Sequence, residues 1–212
     1  MHYNVRRASE QGIRKNKDGM FPDWNEAEIL RDFHYPWLPE VCPDITFRAL
    51  WNKNAFYFRF DVIAENVLVF HQSTDKMEVI DSDRVELFLR SDQQMVPYYC
   101  LEMDPLGRIL DYRATYYRQF EYNWHWPEAK HLHIESNYTT NGYVVEGSIT
   151  LNSLRNLLLL KNNTLQAGLF RGECLKSNSA NSNFRWISWV HPDSVKPDFH
   201  IPTAFGELKL QH

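Results

Sequence analysis

Alternation of apolar and polar residues constrains this chain more than any other feature. "AFYFRFDV" sets Phe56, Phe58, Phe60 and Val62 on one face and Tyr57, Arg59 and Asp61 on the other. "DRVELFLR" repeats the pattern, with Val85, Leu87 and Leu89 opposite Arg84, Glu86, Phe88 and Arg90. A period of two belongs to a half-buried strand. Further strands read in "ITFRALWN", "YYCLEMD", "RILDYRATYY", "HLHIESNY", "YVVEGSIT", "TLQAGLFRG", "FRWISW" and "GELKL". Turns punctuate them at Asp104-Pro105-Leu106-Gly107 and at Asn141-Gly142, a strong hairpin signal. "LNSLRNLLLL" is the one convincing helical stretch, near 151–160. About ten strands with one short helix predict an all-β fold. We expect a single antiparallel two-sheet β-sandwich, immunoglobulin-like or jelly-roll-like, with Phe56, Phe58, Phe60, Val85, Leu87, Leu89, Val145 and Ile149 inward.

With 212 residues the chain suits one domain. No repeat or linker divides it, and residues 1–20, polar and charged, read as a lead-in to a domain at 21–212. That opening has no apolar stretch resembling a secretory signal, which predicts a cytoplasmic location unless a leader precedes it. No run of apolar residues is long enough for a membrane span. A formal net charge of -4 and a pI near 6.1 speak against nucleic acid as a partner. The cysteines Cys42, Cys100 and Cys174 are odd in number and far apart, and predict neither disulfides nor a metal knuckle.

Trp24, "ITFRALWNKNAFYFRFDV", "DSDRVELFL", "GYVVEGSITL", "FRWISW" and "FHIPTAFGELKL" follow one another in an order that resembles carbohydrate-binding module family 9, within the DOMON-like β-sandwiches. The likeness spans roughly residues 20 to 210, and the ending is similar to a bacterial endoxylanase-like subgroup. The resemblance implies sugar binding. The family holds a terminal sugar between two tryptophans, with a carboxylate and amides nearby. Carried over by position, the first tryptophan is Ile80 here, the second is Phe199, the carboxylate is Glu86, and an expected arginine is Cys100.

The residues offer their own readings. Glu86 is either a solvated strand carboxylate paired with Arg84 or Arg90, or an acceptor for a sugar hydroxyl. Phe199 and His200 sit in "VKPDFHIPTAFGELKL", where Pro197 and Pro202 stiffen a loop that either packs down or presents a ligand surface. In "FEYNWHWPEAKHLH", Trp124 and Trp126 either form a stacking platform or cover an open end of the sandwich. Glu102 shares a face with Cys100 and Asp104, so it can stand opposite Glu86 if those strands are neighbours. The expected sugar-binding set is therefore Glu86, Phe199, His200, Trp124, Trp126 and Glu102.

Non-catalytic carbohydrate binding is the leading function. The alternatives are a glycoside hydrolase using Glu86 and Glu102, or an interaction domain that has lost its sugar. No cofactor is expected. Asp81 and Asp83 could contribute to a structural calcium site, but turn capping suits them better. Haem is disfavoured, because Met77, Met95 and Met103 lie in no recognisable ligand motif.

Overall fold

The computed structural model of the protein describes residues 1–9, 14–15, 20–178 and 181–211. In chain order the strands are β1 (His2–Arg7), β2 (Arg14–Lys15), β3 (Met20–Phe21), β4 (Ile45–Trp51), β5 (Ala55–Ile63), β6 (Arg84–Arg90), β7 (Tyr98–Met103), β8 (Ile109–Thr115), β9 (Gln119–Glu121), β10 (Leu132–Thr139) and β11 (Gly142–Thr150). The helix α1 (Leu151–Asn156) follows, then β12 (Leu160–Lys161), β13 (Thr164–Lys176), β14 (Asn183–Ser188) and β15 (Gly206–Leu210).

One hydrogen-bonded path runs β10-β11-β5-β4-β1-β15-β13-β6-β7-β8-β9, with β12 and β14 also pairing β13. The sheet curls back on itself, so β10, β11, β5 and β4 form one layer and β15, β13, β6, β7 and β8 the other. Between the layers lie Phe56, Phe58, Phe60, Val85, Leu87, Leu89, Val145 and Ile149, every one of them buried in a single cluster. The inward face read from alternation is the inward face of the fold.

Two expectations need correcting. The sandwich is mixed rather than wholly antiparallel, because β1 runs parallel to both β15 and β4. Parallel pairing needs long connections, and β1 (His2–Arg7) lies far in sequence from both β4 (Ile45–Trp51) and β15 (Gly206–Leu210). Residues 1–20 are also not simply a lead-in: Tyr3 and Val5 of β1 are buried in the core, and β1 is the seam between the layers. Residues 10–13 and 16–19 lie outside the described residues.

Local chemistry explains the connections. The β10–β11 hairpin turns through Thr140-Asn141, one residue before the expected Asn141-Gly142, and Gly142 pairs with Thr139. Gly142 has φ +151° and a Cβ there would meet the Val62 carbonyl oxygen at 2.0 Å, so only glycine fits. Helix α1 starts at Thr150, whose hydroxyl accepts from the Ser153 amide at 3.2 Å. No helix among the described residues is long and apolar enough to cross a membrane.

Candidate functional site

The outer face of β6 and β7 is not solvated. Every residue of both strands is buried, because the stretch 191–205, before β15, folds over it. A second hydrophobic cluster fills the space between, including Phe88, Tyr98, Cys100, Tyr112, Phe170, Phe199 and Phe205. The cover is held by specific bonds. Trp37 Nε1 donates to the Ser194 carbonyl at 2.9 Å, Arg90 Nη1 donates to the Pro202 carbonyl at 2.8 Å, and the Tyr98 hydroxyl and His200 Nδ1 are 3.0 Å apart.

Under this cover lies a cavity of about 80 Å³, lined by Trp37, Arg84, Glu86, Glu102, Arg118, Trp186, Asp198, Phe199 and His200. A single water takes about 10–15 Å³ of such volume, so the cavity has room for several.

The polar floor comes from strand register. Glu86 on β6 pairs directly with Glu102 on β7 and with Phe170 on β13. Arg84, two residues earlier on the same face, reaches both carboxylates. Its Nε is 3.0 Å from Glu86 Oε1 and 2.5 Å from Glu102 Oε2. Only the second contact is a hydrogen bond; Glu86 Oε1 keeps its ion pair with Arg84 and makes no hydrogen bond. Glu102 Oε1 accepts a second bond from the Tyr112 hydroxyl at 2.8 Å. The remaining reach of Arg84 goes to the carbonyls of Ile80 and Ser82, at 3.0 and 3.3 Å.

Arg84 also lies under two rings, 4.9 Å from the centroid of Phe184 and 5.4 Å from that of Trp186, a cation–π arrangement strengthened by burial. Gly172 makes room for it. A Cβ there would come within 3.1 Å of Arg84 Nη1 and 3.2 Å of the Trp186 ring.

Burial and Glu102, against the pull of Arg84, push the Glu86 carboxyl up to about 8. Burial, helped by Arg118, pushes His200 down to about 3, so its imidazole is neutral. At the mouth Arg118 pairs with Asp198 at 3.2 Å, and Asp198 accepts from the Tyr117 hydroxyl at 2.5 Å and the His200 amide at 2.9 Å.

The expected set divides. Glu86, Glu102, Phe199 and His200 line one cavity. Glu86 is not the solvated strand carboxylate of the first reading, being 2% exposed. Phe199 is packed rather than presented: its ring stacks on Phe170 with centroids 4.0 Å apart and meets Trp186 edge-on at 5.7 Å.

Trp124 and Trp126 do not join them. Both rings lie against Tyr99, on the inward face of β7. Trp126 Nε1 donates to Ser153 Oγ at 2.7 Å, and the Trp126 amide donates to Asp111 at 2.6 Å. These indoles cover an end of the inter-layer core, the second of their two readings, and do not belong to the expected sugar-binding set around Glu86.

The tryptophans that do wall the cavity, Trp37 and Trp186, were missed. Trp186 was legible as the outward position of "FRWISW", two residues from Phe184 on the same face. Trp37 gave no signal, since a long-range fold-back places it there.

Asp83, read from the sequence as a turn cap in preference to a calcium ligand, serves as neither. Asp83 is wholly buried and committed to Arg171, at 2.9 and 3.2 Å, and to the Tyr143 hydroxyl at 2.6 Å. Among the described residues no group of three or more His, Cys, Asp or Glu could hold a metal ion.

Among curated proteins none matches the chain significantly. Solved structures do. A carbohydrate binding module of family 9 from Caldicellulosiruptor kristjanssonii, in complex with glucose, is 17% identical with a TM-score of 0.62, covering 100% of this chain and 96% of that one. A family 9 module from the same organism, in complex with cellotriose, is 18% identical with a TM-score of 0.59, covering 100% and 94%. A protein from Bacteroides uniformis ATCC 8492 is 15% identical with a TM-score of 0.69, covering 99% of each chain. At such identities the likeness shows a shared fold. Because the profile of the carbohydrate family 9 binding domain-like family matches residues 18–212, nearly the whole chain, the protein belongs to that family.

Proposed function

We propose that this protein binds carbohydrate without cleaving it, in the cavity under the 191–205 cover. The observation that carries this reading is a covered cavity lined together by the buried carboxyl group of Glu86 and the indoles of Trp37 and Trp186. A carboxyl group held at this floor can exchange a hydrogen bond with a ligand hydroxyl. Indole faces beside it suit the C–H faces of a sugar. Family membership and the sugar complexes of its structural neighbours support the same reading.

Hydrolysis by Glu86 and Glu102 fits the geometry less well. Retaining glycosidases keep their carboxyls about 5–5.5 Å apart with the scissile bond between them. Here one Arg84 nitrogen lies between the two acids, in contact with an oxygen of each. Both oxygens of Glu102 are occupied, so it is poorly placed to act on a substrate.

Isothermal titration against glucose, cellotriose and xylo- and manno-oligosaccharides tests the proposal. Binding heat with at least one sugar, abolished in Glu86→Ala, is the expected result. Silence across the panel from a folded protein would sink it and leave an interaction domain as the better account.

A further inference from the structure

The buried acid pair raises a question that sugar binding alone does not answer. Glu86 and Glu102 face each other across β6 and β7, and one guanidinium serves both. Two ionised carboxylates against one arginine would leave a net charge in a site that water scarcely reaches, which is strongly disfavoured. One proton resolves this, and the hydrogen bonds say where it sits. Both oxygens of Glu102 already accept, one from Arg84 Nε and one from the Tyr112 hydroxyl. Glu86 Oε1 accepts nothing.

We propose, resting on the carbohydrate reading above, that Glu86 meets the ligand as the neutral acid and donates its proton in a hydrogen bond to a sugar hydroxyl oxygen. The ligand class follows from the charge balance. With Glu86 neutral, Arg84 offsets Glu102 and Arg118 offsets Asp198, so the site suits an uncharged sugar. Ionisation of Glu86 would remove the donor and place an uncompensated charge beside the ligand.

The other groups facing Glu86 do not blur this titration. Cys100 on β7 and Tyr112 on β8 are both pushed well above their usual ranges by burial, and His200 of the cover is held neutral. Arg84 on its own strand and Arg118 at the mouth are cationic throughout, because both are raised above the ordinary arginine value. Burial and Glu102 raise Glu86 itself, in the sense the geometry requires.

The test has two independent readouts. Carboxyl-carbon NMR of the ligand-free protein, with the Glu86 signal assigned by its absence in Glu86→Gln, should show a midpoint above pH 7. A midpoint below about 5 overturns the inference whether or not any sugar binds. Titration with glucose and cellotriose between about pH 6 and 9 supplies the second. Wild-type affinity should fall by up to ~tenfold per pH unit above the Glu86 midpoint, the limit for binding linked to one proton. Glu86→Gln, which keeps a donor at that position, should bind with an affinity that does not change over this range. Flat wild-type affinity with binding lost in Glu86→Gln overturns the donor role. If Glu86 titrates high yet no sugar of the panel above binds at pH 6, the carbohydrate reading falls and takes the donor role with it, while the protonated carboxyl stands.

Discussion

On the outer face of β4, β5 and β11, Arg48, Arg59, Asp61 and Glu146 form a run of ion pairs beside Trp24, whose Nε1 donates to Glu146. On the outer face of β6 and β7, Arg84, Glu86 and Glu102 form another, with Trp186 over the arginine. The ingredients are the same and the first cleft is far larger, about 440 Å³. What differs is access to water. The paired side chains of the open face are 12–25% exposed, those of the covered face 3–7%. On the open face Arg59 bonds to both Asp61 and Glu146, so solvent and salt bridges together satisfy the charge. On the covered face two carboxylates share one arginine nitrogen. Buried charge crowded under a cover, rather than cleft volume, marks the candidate site.

The sharpest way to break this comparison is to delete the arginine on each side. Arg84→Ala should cost about 3–5 kcal/mol in urea unfolding, since it strands two buried acids, and sugar binding should vanish with it. A loss no larger than that of an open-face arginine would mean the covered face is wetter than its exposure indicates.

Next in size is the cover itself. Phe199→Ala removes a ring stacked on Phe170 and should cost about 3 kcal/mol, at the lower end for a buried phenylalanine. The melting temperature should drop even without ligand. An unchanged melting temperature with weakened sugar binding would restore Phe199 as a presented platform.

The pH dependence of stability separates the faces further. Glu86 is raised from 4.5 to about 8, so between those values the folded state holds more protons than the unfolded one, and stability falls as pH rises. His200 is lowered from 6.5 to about 3, so between those values the unfolded state holds more protons, and stability is lost on acidification. Between about 6.5 and 8 only Glu86, of these two, titrates. Denaturation midpoints across that interval should decline in the wild type and stay level in Glu86→Gln. A decline that persists in the variant assigns it elsewhere.

The smallest effect belongs to the open face. Arg59→Ala should cost about 1 kcal/mol or less, diminishing as salt is added, as expected for partly exposed pairs. A large, salt-insensitive loss would show that its charges are as dry as those around Glu86.

Much of this architecture is decided within single strands. Alternation in "AFYFRFDV" and "DRVELFLR" determines that each strand has an apolar face, and pairing follows because backbone groups must be satisfied and that face buried. Asn141-Gly142 determines a hairpin for the same local reason. Local pattern could also place Glu86 and Glu102 on outward faces. It could not say what lies above them, because alternation distinguishes two faces of a strand without saying what covers either. Only the fold lays the 191–205 stretch over β6 and β7, turning an expected solvated carboxylate into a buried one. Only the fold brings Trp37 to Ser194, 157 positions away, and sends Trp124 and Trp126 to the end of the core instead. Burial and charge pairing depend on residues remote in sequence, so they belong to tertiary structure alone.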